Sequence, residues 1–274
     1  MQNTAGRLLL AIVCVLLLSQ CSSTPSSPST RAPVLLAIFA HPDDEATVGP
    51  VLAKYAAEGV QVYLATATDG RLGVTAHAAI PAGDVLAEAR TKELQCAAEK
   101  LGIHPPIQFG LHDQLKMGEG LAVYGAQVRE LRDRVQKLFE ELQPDAVITW
   151  GPSGWTGHPD HRMVSAVVTE VFQTQRWARP AQLYYPAVPT QKVPASNPLG
   201  IATVDEGFLS VRIKVTEPDY DKARESWHCH ASQYTPEQIE QRRQALIAVQ
   251  AGILHFQPAL PVSRAGADRL LGNR

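Results

Sequence analysis

The chain has 274 residues, 45% of them hydrophobic and 19% charged, with a formal net charge of −2. An ordinary apolar fraction with so little net charge excludes disorder throughout, and the length can bury a substantial core. Because 25 basic residues face 27 acidic ones, no positive surplus is left to hold phosphates, which excludes nucleic acid as a general partner; four cysteines are too few for a disulfide framework.

Residues 8–18 read LLLAIVCVLLL, an unbroken apolar run preceded by Arg7. Its helical rise of about 16 Å is half a hydrocarbon core of roughly 30 Å, so residues 1–20 read as a secretory signal peptide rather than a span. The run ends Leu18-Ser19-Gln20-Cys21, which resembles the lipobox of bacterial lipoproteins, with Gln20 where a small residue is usual. A lipid anchor at Cys21 and an extracytoplasmic place in the bacterial envelope are the expectation. Residues 21–33, rich in serine and proline, are expected to be a flexible tether before one domain over 34–274. Nothing around Cys96 and Cys229 decides whether they pair.

A continuous apolar run over 34–40 predicts a strand buried on both faces. A helix over 47–58 ends at Gly59, and a second buried strand covers 60–66. After a long glycine-containing loop over 69–84 come a helix over 85–101, closed by Gly102, and a short strand over 107–109. An amphipathic helix over 123–142 is broken by Pro144, and a strand follows over 145–150. A helix over 162–175, strands over 181–188 and 208–215, and helices over 219–229 and 236–249 complete the reading, with an irregular tail after Gln257. Strands and helices alternating at these spacings predict an α/β fold with a mostly parallel sheet flanked by helices.

Two polar segments follow predicted strands: Ala40-His41-Pro42-Asp43-Asp44-Glu45 and Gly157-His158-Pro159-Asp160-His161-Arg162. In open parallel sheets, ligands lie beyond the carboxyl ends of the strands, above all where the strand order reverses. Three residues apart, His41 and Asp44 can aim an imidazole and a carboxylate at one point, and His161 can bring a second imidazole. Two histidines and a carboxylate with an open position are a usual catalytic zinc set. Asp43, beside that point, suits a general base, and His158 next to Asp160 suits an imidazolium facing an oxyanion or a leaving amine. Aspartate after a strand also caps helices, but capping does not call for histidines.

These two segments resemble the signatures of the PIG-L deacetylase family, also called LmbE-like, and the resemblance runs from about Val34 to the helix near His230. It implies a Rossmann-like α/β fold and zinc-dependent removal of acetyl from an N-acetylated amino sugar or its conjugate. Position by position, it puts His41, Asp44 and His161 in the metal-ligand places, Asp43 as general base, and His158 as a charged histidine oriented by Asp160. An arginine with a glutamate three residues on is matched by Arg90 and Glu93, which implies that Arg90 faces the substrate or its oxyanion. His230-Ala231-Ser232-Gln233 matches a later family feature of unassigned role.

The sequence departs from the family at Thr68-Asp69-Gly70-Arg71, where an arginine stands in place of an acid and leaves the substrate's polar group open. His77 in the following loop reads as solvated, and His104, His112, His228 and His255 as structural or surface residues. Trp150 reads as core, Tyr184 and Tyr185 as ordinary packing, and Trp155 is open between packing and stacking on a sugar. Ferrous iron at the same ligands, including a non-haem iron enzyme, and a non-catalytic glycan-binding lipoprotein are the competing readings.

Overall fold

The computed structural model describes residues 31–197 and 200–260. The six residues of strand β1 (Val34–Phe39) are all buried. Five strands run parallel in the order β3-β2-β1-β4-β5, where β2 is Gln61–Thr68, β3 Ile107–Leu111, β4 Ala146–Thr149 and β5 Gln182–Pro189. Beyond β5, strand β8 (Ile253–Pro258) pairs antiparallel with both β5 and strand β7 (Val211–Lys214), and the two-residue β6 (Thr203–Val204) pairs parallel with β5. The predicted α/β class with a mostly parallel sheet is the one observed.

Alternate residues of β1 serve opposite faces, as the pleat requires. Leu35, Ala37 and Phe39 pack under helix α1 (Gly49–Ala57), Leu94 and Leu101 of α2 (Asp84–Leu101), and Tyr220 and Ala223 of α6 (Glu217–Trp227). Leu36, Ile38 and Ala40 meet the apolar stripes of α3 (Leu121–Leu142) and α5 (Pro159–Thr174). Helix α7 (Pro236–Gln250) follows a capping box at Thr235, and a single turn, α4 (Gly154–Gly157), precedes α5.

The strands of the first half propagate from β1 through β2 to β3, those of the second from β4 to β5 on β1's other side. The strand order therefore reverses between β1 and β4, and the two His/Asp-rich segments follow these two strands. A disulfide between Cys96 on α2 and Cys229, just after α6, answers the pairing question.

Two expectations change. The tether was to extend to residue 33, yet Arg31 donates to Asp145 and the Gln143 carbonyl, and Pro33 accepts from the Gln61 amide. Residues 31–33 therefore belong to the folded unit; the rest of the tether and the leader lie outside the described residues. The final strand β8 was not predicted, because a six-residue run that closely follows a helix and ends at Pro258 has no period that separates strand from helix end.

Candidate metal centre and active-site pocket

The chain turns sharply after β1. Asp43 adopts φ 114°, a region disfavoured for a residue with a Cβ, and its neighbours hold it there. Its amide donates to Glu45 Oε2 at 3.0 Å, Arg90 donates to its Oδ1 at 2.9 Å, and the Tyr234 hydroxyl donates to its Oδ2 at 2.9 Å. The charge of Asp43 and burial push the Tyr234 phenol up, so it stays a donor. Asp44 folds back under the turn. Its Oδ2 accepts from the Ala40 and His41 amides, both at 2.9 Å, and from Trp150 Nε1 at 3.2 Å.

The second loop, after β4, brings His161 in on the first turn of α5. The His161 ring stacks on Trp150 with centroids 4.7 Å apart, and its Nδ1 donates to the Gly154 carbonyl at 3.0 Å. Asp160 Oδ2 accepts from His41 Nε2 at 3.1 Å and from the Gln114 amide at 2.9 Å.

These outer hydrogen bonds decide which ring nitrogens face inward. With its proton on Nδ1, His161 turns the Nε2 lone pair to Asp44 Oδ1, 3.2 Å away. With Nε2 donating to Asp160, His41 turns Nδ1 to His161 Nε2 at 3.3 Å and to Asp44 Oδ2 at 3.7 Å. Two imidazole nitrogens and a carboxylate thus converge on one point, an arrangement that repels itself unless a proton or a cation stands among them. Backing each metal-facing histidine by an acceptor on its far nitrogen is how metal sites orient their ligands. Burial alone would lower the His41 pKa, but Asp160 and Asp44 hold it up at about 10, so the local field favours a positive charge there. The donor set fits a divalent cation.

The pocket at this centre has a volume of about 370 Å³ and is lined by all three donors, Asp43, His158, Trp155, Trp227 and Tyr234. Arg242 lies over the Tyr234 ring at its edge, 4.9 Å from the centroid.

Residues 36–172 match the PIG-L family, described as GlcNAc-PI de-N-acetylase. The chain belongs to the PIG-L family. It is 33% identical over 171 residues to a 1D-myo-inositol 2-acetamido-2-deoxy-alpha-D-glucopyranoside deacetylase of Mycobacteroides abscessus, which covers 57% of this chain and 61% of that protein. A protein of the same name from Catenulispora acidiphila is 38% identical over 152 residues, 50% of this chain and 47% of its own length. The chain thus spans half to three fifths of these relatives. Its fold is shared with N,N'-diacetylchitobiose deacetylase from Pyrococcus horikoshii, with TM-score 0.62 and 20% identity over 83% of this chain and 84% of that one. It is shared equally with GalB, the 4-carboxy-2-hydroxymuconate hydratase of Pseudomonas putida KT2440, with TM-score 0.63 and 15% identity over 85% and 98% of the two chains. The architecture therefore hosts more than one reaction.

Within this PIG-L site, His41, Asp44 and His161 come together and Asp43 stands beside them. Two assignments are corrected. The Asp160 carboxylate does not orient His158: it is turned to His41 and Gln114, and only the Asp160 amide reaches His158, donating to Nδ1 at 3.2 Å. A buried carboxylate takes the donors within reach, whereas His158 is exposed at the rim, and burial together with the nearby His41 and His161 pushes its pKa down rather than up. Arg90 does not reach out towards an oxyanion. It is 3% exposed and donates to the Pro42 carbonyl, Asp43 Oδ1 and the Gly70 carbonyl, so it braces the turn that carries Asp43.

Arg71 turns away from the pocket to Asp69 and Asp84, which removes the charge question raised by that departure. His77 is exposed, but donates to the Ala231 carbonyl. Tyr184 and Tyr185 are packed as expected, and Trp155 lines the pocket wall. Sequence reasoning missed Asp113, Tyr234, Glu45 and the second role of Trp150. Asp113 is buried, accepts from the Gly70 and Leu72 amides, and has a carboxylate oxygen within 4.8 Å of ligand atoms of His41 and Asp160. Its one signal was position, two residues past the carboxyl end of β3.

Proposed function

We propose that this chain is a zinc-dependent de-N-acetylase that hydrolyses the acetamide of an N-acetylated amino sugar or its conjugate. One observation carries the reading: a braced carboxylate, Asp43, stands beside a converging His41, Asp44 and His161 set, in one cavity large enough for a sugar ring. The names of the relatives support the same reaction and the acetamido-sugar class.

When bound, the zinc ion would polarise the acetyl carbonyl and make water a readier nucleophile. Asp43 takes the proton of the attacking water at a carboxylate oxygen, each of which keeps a lone pair beside the bond from Arg90 or Tyr234. Those two donors fix the carboxylate in direction. Asp43 then returns that proton to the departing amine, while His158, which accepts from the Asp160 amide at Nδ1, carries its proton on Nε2 and offers it as a hydrogen bond to the developing oxyanion. The Trp155 and Trp227 faces offer apolar surface to the sugar ring.

The same reading puts the enzyme outside the cytoplasm, lipid-anchored at Cys21. The Cys96–Cys229 disulfide supports this, since such bonds persist in oxidising compartments. Labelling with a lipid precursor that Cys21→Ala abolishes would test the anchor.

The deciding experiment incubates zinc-loaded protein with N-acetylglucosaminyl inositol and N,N'-diacetylchitobiose and follows free amine and acetate by mass spectrometry. Equimolar amine and acetate, lost on chelation and restored by zinc, is the expected result. Failure to release amine from any acetamido sugar, with zinc bound, overturns the reading. Restoration by ferrous iron alone would reassign the metal.

A further inference from the structure

The family-like segment His230-Ala231-Ser232-Gln233, with Cys229 before it and Tyr234 after it, has no place in the chemistry above, yet nearly every polar group in it is committed. His230 Nε2 bonds Glu45 Oε1 at 2.6 Å with both side chains fully buried, and the other oxygen of Glu45 receives the Asp43 amide. Tyr234 holds the Asp43 carboxylate itself. Ser232 donates its amide and its hydroxyl to the two oxygens of Glu93, at 2.6 and 2.7 Å. Gln233 donates to the Gly73 carbonyl, and Gly73 lies directly against Arg90, which braces Asp43 from its other side.

The partners on α2 fall on one stripe of the helix. Arg90, Glu93 and Cys96 recur every three residues, so they share a face. Arg90 holds Asp43, Glu93 holds Ser232, and Cys96 is bonded covalently to Cys229. The segment thus bridges α2 and the turn after β1, and the disulfide fixes its first residue. Both cysteines are half-buried, within reach of a reductant.

We propose that residues 229–234 are a positioning clamp for Asp43, with His230 and Tyr234 as its positioning residues, and that the Cys96–Cys229 disulfide holds the clamp closed, so that breaking it lowers turnover without releasing the metal. The proposal rests on the amide-hydrolase reading for its kinetic arm only. A disulfide that merely stabilised the fold would lower the melting temperature and leave turnover of the folded protein, and the order of the Asp43 turn, unchanged.

The test uses the zinc-loaded chain, its Cys96→Ser/Cys229→Ser variant, Tyr234→Phe, and the triple variant. Below the melting transition, each is expected to lose kcat by about 10–100-fold, the usual cost of removing a group that orients an active one, with KM and zinc stoichiometry unchanged. Because both changes act on one element, the triple variant should lose no more than the worse of its parents. Hydrogen exchange supplies an arm independent of activity: peptides covering 41–47 and 229–235 should exchange faster in the cysteine variant, and equally in wild type reduced with a phosphine should the variant fold poorly. Unchanged exchange over 41–47, or kinetic losses that multiply in the triple variant, overturns the clamp. If the wild type releases no amine, the function reading fails, and the exchange arm still decides the clamp.

Discussion

The carboxylate of Asp43 and that of Asp44 are adjacent in sequence and do opposite work because their environments differ. Asp44 Oδ2 is saturated by two amides and an indole, leaving Oδ1 for a cation; Asp43 is held by one donor on each oxygen and faces the cavity. Asp43→Asn keeps the shape but removes the proton acceptor, so turnover should fall by about 10²–10⁴-fold. Elemental analysis should still find the wild-type zinc content, because none of the three donors is touched; full activity in this variant would sink Asp43 as base. Trp150 tests the other carboxylate. Trp150→Phe preserves an aromatic ring against His161 and Phe39 but deletes the Nε1 donor to Asp44, and zinc affinity measured by chelator competition should weaken about 10–100-fold. An unchanged affinity would mean that the two backbone amides suffice.

At the scale of elements, the loop after β2 shows how close approach, rather than chemistry, selects a residue. A Cβ at Gly73 would lie 2.5 Å from Arg90 Nη1, and Arg90 is itself fixed by three acceptors. Gly73→Ala must therefore displace Arg90 or open the loop, and kcat should drop about tenfold or more as the Asp43 turn loosens. Gly118→Ala, with open space around its Cβ, is the control and should match wild type in the same assay; equal activity in both variants would detach Arg90 from the base. The two His-Pro-Asp loops were legible in the sequence because each residue type there is unusual after an apolar run and its partners are three residues away or in the matching loop. His230 was visible as a motif without a role, since Glu45 lies 185 residues earlier and Glu93 is 139 residues from Ser232. Asp160 was misassigned for the complementary reason: adjacency to His158 in sequence outweighed a bond to His41 from 119 residues away.

At the scale of the whole molecule, the centre ties the two halves of the sheet together. His41 and Asp44 leave the end of β1, from which the chain goes on to β2 and β3; His161 leaves the β4 side, from which it goes on to β5. The parallel order was legible from buried apolar runs such as residues 34–39. The antiparallel edge was not: β8 lies between β5 and β7, and its pairings join residues far apart in sequence, such as Tyr184 with Pro258. A cation at the switch point would link both halves of the parallel sheet through donors that only the folded chain brings together, so its binding would favour the folded state over the unfolded chain. With free zinc at about 100 times the dissociation constant, the linkage is worth about 2.7 kcal/mol, which for a domain of this size shifts the melting temperature by on the order of 5–10 °C. Calorimetry of chelator-dialysed protein should show that drop and its recovery on adding zinc. In Asp44→Ala, the melting temperature should be lower from the start and indifferent to zinc. A wild type that melts at one temperature with and without the ion would show that these donors hold no metal.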